Sequence, residues 1–217
     1  MKRETAEEKR RRAASIARRL AETYPGLRVP LDHKNTFELL VAVILSAQTT
    51  DEMVNRVTPE LFRRYPTPQA LARAPLKSIE ALIRRLGLHH AKAVALKKMS
   101  RDLVDKHAGE VPQTMDELTA LAGVGRKTAN VVLGHAFGIP GVIVDTHCKR
   151  VSRRLGLTHA KEPEKIERDL MKLLPPEEWT GLSHRLVLHG RRVCYARKPD
   201  CKNCPVNDLC PSAFRVS

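Results

Sequence analysis

The sequence predicts an all-α protein, and three observations carry that prediction. Apolar residues recur at three- and four-residue spacing in one segment after another. Aliphatic and alanine-rich stretches dominate, and the only aromatic residues are four Phe, three Tyr and Trp179; that balance favours helix over sheet. The one β-like run, Val142-Ile143-Val144, is too short to build a sheet alone.

Each helix has its own signal. Thr5-Ala6-Glu7-Glu8 is a capping box, in which a hydroxyl and a carboxylate satisfy each other's orphan N–H groups. Ala13, Ile16, Ala17, Leu20 and Tyr24 follow at helical spacing, with Gly26 as the stop. Phe37 to Gln48 is apolar on nearly all sides and reads as a buried central helix. Asp51 to Tyr65 is amphipathic through Val54, Val57, Leu61 and Phe62. Thr67-Pro68 opens a short helix with Pro at its first position. Ile79, Leu82, Ile83 and Leu86 mark another, ended by Gly87. A helix through Ala93, Leu96, Met99 and Leu103 ends at Gly109. A second capping box, Thr114 to Glu117, opens a helix to Ala122. Arg126 to Phe137 is the next, and residues 146–155, 163–174 and 177–192 read as helical too.

Charge narrows the function. Lys and Arg number 39 against 24 Asp and Glu, a formal net charge of +15. A pI near 10.0 points to a polyanionic partner, most often nucleic acid. Membrane association is not expected. The longest apolar run, Leu39 to Leu45, falls far short of the ~20 residues a span needs, and no basic helix carries a broad aromatic face. The N-terminus has no apolar signal core, and Glu4, Glu7 and Glu8 interrupt its basic residues, unlike a transit peptide. The expected setting is the cytoplasm, at the nucleoid.

Five cysteines are present, four of them in residues 194–210. Cys194, Cys201, Cys204 and Cys210 are spaced C-x6-C-x2-C-x5-C. The spacing suits a [4Fe-4S] cluster and leaves zinc and disulfides as alternatives; zinc ribbons usually offer two C-x2-C pairs, and only one is present. Cys148 stands apart, inside a helix, as a small core residue.

Leu121 to Ala129 joins two helices through Gly123-Val124-Gly125. Two glycines one residue apart allow a turn with outward N–H groups, and the following helix start accepts a phosphate oxygen. Such a hairpin holds a DNA backbone without reading sequence. Gly123, Gly125 and Arg126 are its candidate DNA contacts. Lys127 falls in the first helical turn, where the helix dipole disfavours an ammonium; its ordinary reading is a surface lysine, and a free amine there is also a nucleophile able to form a Schiff base. Asp145 follows the apolar run and precedes a helix. Its ordinary use is an N-cap, and a carboxylate so placed can also stabilise a developing cation or move a proton.

The glycine hairpin with Lys127, the downstream Asp145 and the cysteine spacing together resemble the endonuclease III family of DNA glycosylases with AP-lyase activity. The resemblance runs over nearly the whole chain, through Leu45 to Asp51, Leu121 to Ala129, Val144 to His147 and His189-Gly190-Arg191. It implies a two-domain plan: a six-helix barrel with a helix-hairpin-helix at residues 29–139, and an iron–sulfur domain at 1–28 and 140–217. It implies a [4Fe-4S] cluster on the four cysteines, Lys127 as nucleophile and Asp145 as its partner. Gln48 matches the residue that fills the gap left by a flipped nucleotide, and Leu88 matches a wedge in the opposite strand. Arg197 and Lys198 match basic residues that meet the backbone. The implied substrate is double-stranded DNA carrying damaged pyrimidines or abasic sites, handled by a monomer. Ala122 departs from the family's usual Pro, and His89 and His90 stand where family members vary, so lesion preference does not carry over. Two rivals remain. An adenine-specific mismatch glycosylase lacks the hairpin lysine and adds a C-terminal domain after the cluster. A non-catalytic iron–sulfur DNA-binding protein needs neither Lys127 nor Asp145.

Overall fold

A computed structural model describes residues 4–26 and 29–216. It divides into two compact units, Arg28–Ile139 and Met1–Leu27 with Pro140–Ser217. The boundary expected between residues 28 and 29 abuts residues 27 and 28, which lie outside the described residues.

The central unit is built on α2 (Thr36–Leu45). Asn35 caps it by accepting the Glu38 N–H at 2.9 Å. Every residue from Phe37 to Leu45 is buried, as an all-round apolar helix requires. The helix ends three residues before the expected Gln48. Ser46 turns its hydroxyl back to Val43 O at 2.8 Å, and Gln48 takes a left-handed φ of 53°. Around α2 stand α3 (Asp51–Arg64), α4 (Pro68–Arg73), α5 (Leu76–Ile83), α6 (His89–Lys106), α7 (Met115–Ala120) and α8 (Arg126–Ala136). Side-chain caps from Thr50, Thr67 and Thr114 start α3, α4 and α7. The box expected at Thr114 forms differently: Glu117 Oε2 accepts the Thr114 hydroxyl at 2.6 Å. The core joins Leu39, Leu40, Leu45, Ile83, Leu96 and Met99, each worth roughly 1.5–3 kcal/mol in burial.

The terminal unit holds α1 (Ala6–Thr23), α9 (Thr146–Arg154), α10 (Pro163–Met171), α11 (Pro176–Arg192) and a 3-10 turn, Asn207–Leu209. The capping box at Thr5 is complete in both directions. Ala13, Ile16, Ala17 and Leu20 form the buried stripe of α1 against Leu182, Leu186 and Val151. Gly190 lets α11 cross α9 closely: a Cβ there would meet His147 Cβ at 2.9 Å. Arg12 fastens the C-terminal segment, donating to Leu155 O at 2.6 Å and Leu209 O at 3.2 Å.

Among the described residues no strand forms. In the Val142-Ile143-Val144 run, the Ile143 N–H donates to Ser183 Oγ at 3.0 Å, a side-chain partner in place of a β ladder. No described helix is long and apolar enough to cross a membrane.

Candidate active site

The hairpin between α7 and α8 is shaped by two glycines with different tasks. Gly123 has φ +79°, and a Cβ on it would lie 3.1 Å from Ala95 Cβ and 3.3 Å from Ile44 Cγ2. It therefore answers both a left-handed backbone and a close approach to α6 and α2. Gly125 has an ordinary φ of −93° and open space where a Cβ would stand. It is the N-cap of α8, with no side-chain cap and no acidic residue in the first turn. Val124 is buried and donates its N–H to Leu121 O at 3.2 Å, which closes the turn. Ala122 packs against the core. Arg126 and Lys127 are the first residues of α8, and both are exposed.

Gln48 and Leu88 stand on two neighbouring loops of the same unit. Both are non-glycine residues in the left-handed region, at φ 53° and 58°. That conformation costs each about 1 kcal/mol or more. Leu88 is also 58% exposed, an apolar side chain left in water. α5 ends at Ile83, short of the stop expected at Gly87, and a turn leads from there to Leu88, the N-cap residue of α6. Gly87 leaves room where the two loops approach: even a Cβ added to it would stand 4.0 Å from Gln48 O. Between them lies Lys92, 5% exposed, whose Nζ donates to Thr49 Oγ1 at 2.7 Å. Burial holds its ammonium below the ordinary lysine range. Sequence reasoning passed over Lys92. The signal was present: residues 92, 96, 99 and 103 share one helical face, and only the first is charged.

Asp145 lies in the terminal unit as the N-cap of α9. Its Oδ1 accepts the N–H groups of His147 and Cys148, both at 2.8 Å. The ordinary N-cap role is thus present. Cys148 is fully buried, and burial pushes its thiol well above the usual range. Along α9, Thr146, Lys149, Arg150, Arg153 and Arg154 line a groove with Ser212; four cations line it and no acid does. Arg150 is committed to Gly190 O at 2.8 Å and Cys194 O at 3.1 Å.

All four clustered cysteines are free thiols and line one pocket, floored by Val151 and Leu155. No three His, Cys, Asp or Glu side chains among the described residues are grouped to hold a single metal ion. Arg154 braces the segment: its Nη1 donates to Tyr195 O at 2.6 Å and reaches Cys194 Sγ at 3.4 Å. The Cys204 thiol is pushed up to about 11 by burial, with Cys210, Cys194 and Cys201 adding to the rise. Cys210 rises for the same reasons, and its Sγ donates to Arg154 O at 3.4 Å. Behind Cys204 stands His189, 1% exposed and held near a pKa of about 4 by burial, hence neutral. Its Nδ1 is 3.1 Å from Tyr24 Oη and its Nε2 is 3.5 Å from Cys204 Sγ. A neutral imidazole has one N–H, so with Tyr24 donating to Nδ1 the Nε2 proton faces sulfur. Arg197 and Lys198 sit exposed on the turn between the first two cysteines, Lys198 at φ 48°.

The structure therefore gathers the four cysteines on one pocket, links the Gln48 loop to α6 through Lys92 and Thr49, and puts both glycines and Lys127 on one hairpin. Lys127 and Asp145 belong to different units.

A family model described as HhH-GPD superfamily base excision DNA repair protein matches residues 41–176. The chain is 54% identical over 206 residues to Endonuclease III of Synechocystis sp., covering 94% of each. It is 45% identical over 193 residues to Endonuclease III of Bacillus subtilis, covering 88% of each. Its structure is similar to that of a trapped endonuclease III–DNA covalent intermediate, with a TM-score of 0.90 and 44% identity, covering 95% of this chain and 97% of that one.

Proposed function

We propose a mechanism for this chain from one premise: it belongs to the endonuclease III family, within the HhH-GPD superfamily of base excision DNA repair proteins. It is a DNA glycosylase with AP-lyase activity. The proposal concerns which residues do the work and on what. The observation that carries it is the exposed Lys127, in an acid-free first helical turn directly after the Gly123–Gly125 turn.

A base within a duplex shields its sugar carbon, so the nucleotide has to leave the stack, at least cost when the base is damaged. Gln48 and Leu88 take the space left in the two strands. The hairpin N–H groups and Arg126 hold backbone phosphate. The Lys127 amine attacks C1′ with its lone pair, and the C1′–N bond to the base breaks with its electron pair. Asp145 stabilises the positive sugar and accepts a proton from the new ammonium, which lets the ring open to a Schiff base. That cation acidifies the C2′ hydrogen. Loss of the proton expels the 3′ phosphate oxygen by β-elimination, and water releases Lys127. The substrates proposed are oxidised pyrimidines and abasic sites.

Cys194, Cys201, Cys204 and Cys210 fit a [4Fe-4S] cluster: four free thiols line one pocket, and their mutual repulsion as thiolates is what bound iron would offset. When bound, the cluster supplies a cross-link for the segment and moves no electrons in the steps above. The four cysteines and α9 would then make the terminal unit an iron–sulfur domain, and the central unit a barrel carrying the hairpin. The basic groove on α9 and the exposed pair Arg197 and Lys198 suit a polyanionic duplex.

Borohydride trapping on a duplex with one abasic site tests the reading. The wild-type chain should cross-link and Lys127→Ala should not, while still binding the duplex. Cross-linking by Lys127→Ala would make another amine the nucleophile.

A further inference from the structure

We infer that Lys92 is a positioning residue that ties the Gln48 loop to the Leu88 loop, so that two DNA-inserting side chains are presented as one rigid pair. The inference rests on the reading of Gln48 and Leu88 given above.

Two exposed residues in left-handed backbone need something to hold them there. Gln48 and Leu88 are both in that state, and neither is glycine. Lys92 is bonded toward both. Its backbone N–H donates to Leu88 O at 3.0 Å, in the first turn of α6. Its Nζ donates to Thr49 Oγ1 at 2.7 Å, and the Thr49 hydroxyl passes its own proton to Ala47 O at 3.3 Å. The residues on either side of Gln48 are therefore pinned by one chain of hydrogen bonds that begins on α6. α6 itself is anchored by Ala93, Leu96, Met99 and Leu103, all fully buried.

A lysine suits this task better than an amide of shorter reach. Its stem crosses the apolar face of the helix, and only its head meets the loop. Burying that head costs free energy, consistent with its lowered affinity for the proton. A core position filled for packing alone would be served by Leu or Met. When the duplex is entered, the pair acts together: one side chain replaces the extruded nucleotide while the other parts the opposite strand. Without the tie, each loop orders separately during extrusion, and the base returns to the stack more often.

The test uses the full chain and a duplex holding one oxidised pyrimidine beside 2-aminopurine, whose fluorescence rises when its neighbour leaves the stack. Lys92→Met, Thr49→Val and the double variant are compared with wild type under single-turnover conditions. Each single variant should lose about tenfold in excision rate, as expected for one charge-assisted hydrogen bond, with a matching loss of fluorescence rise. The double variant should lose no more than either single, because all three break the same bond. β-Elimination at a preformed abasic site, which has no base to extrude, should stay within about twofold. Excision by Thr49→Val at the wild-type rate would overturn the inference. So would losses that multiply, or an equal loss on abasic DNA. Thr49 is only partly buried and Val is nearly isosteric, so Thr49→Val decides the matter even if Lys92→Met does not fold. Wild-type trapping on abasic DNA is run alongside: its failure would strike the proposed function, whereas normal trapping with unimpaired variants would strike only the Lys92 tie.

Discussion

Asp145 Oδ1 accepts the Cys148 backbone N–H at 2.8 Å, which makes a residue proposed to do chemistry also the cap of the helix that follows it. The two roles use different properties of one side chain. Capping needs an acceptor oxygen, whereas stabilising a cationic sugar needs negative charge. Asn keeps the first and loses the second.

Asp145→Asn should therefore fold like wild type, since Asn caps as well as Asp. Its base-removal rate should fall by on the order of 10²-fold or more. Asp145→Ala should lose both, with stability down by about 0.5–2 kcal/mol. Thermal melts with single-turnover rates separate the roles. Full activity per folded Asp145→Asn molecule would leave Asp145 as a cap only.

The two hairpin glycines should respond in opposite ways. Gly123→Ala puts a methyl 3.1 Å from Ala95 Cβ in a left-handed backbone, so stability should drop by roughly 2–4 kcal/mol. Gly125→Ala meets nothing within 4 Å, so its cost should stay within about 1 kcal/mol, that of a weaker cap. Its methyl should instead hinder phosphate approach, and DNA affinity should fall several-fold. Denaturation and binding isotherms on both variants check this; equal stability losses would contradict the division of tasks.

Purified chain should carry about four irons per molecule and absorb as an iron–sulfur protein. Cys201→Ser should lose that iron. Cys148→Ala should keep it, because Cys148 is a buried core thiol away from the pocket-lining four. Stoichiometric zinc without iron after anaerobic purification would reverse the assignment.

Binding should weaken steeply with salt, because each neutralised phosphate releases counterion. With about five phosphates engaged, the log–log slope should lie near −4 to −5. Replacing Arg197 and Lys198 together by Ala should flatten it by about 1–2 units without abolishing base removal. An unchanged slope would remove this turn from the footprint.

Burial lowers the proton affinity of Lys92 in the folded chain relative to its ordinary value of 10.5. In that window the unfolded chain binds more protons, so stability gains from Lys92 as pH rises. The melting temperature of wild type relative to Lys92→Met should therefore increase from neutral pH toward about pH 10 and level off above the unfolded value. A difference independent of pH would mean that Lys92 is not desolvated in solution.

Local order was legible from the amino acids alone, because its causes act within one helical turn. The Thr5–Glu8 box, the buried run Phe37–Leu45, the stripe Ala13-Ile16-Ala17-Leu20 and the Asp145 cap all depend on neighbours three or four residues away. The cysteine spacing and the Gly123–Lys127 hairpin are likewise contiguous, so both motifs could be picked out from sequence. The tertiary structure decided what depends on surfaces meeting across the chain. It set Lys92 against Thr49, 43 positions apart, and His189 between Tyr24 and Cys204, 165 and 15 positions away. It ended α2 at Leu45 and left Gln48 in a left-handed turn that no local pattern requires. It also gave the Ile143 N–H to Ser183, so an apolar run with strand propensity became a buried connection. Propensity acts through a few neighbours, whereas a buried polar group must find its partner wherever packing has brought one.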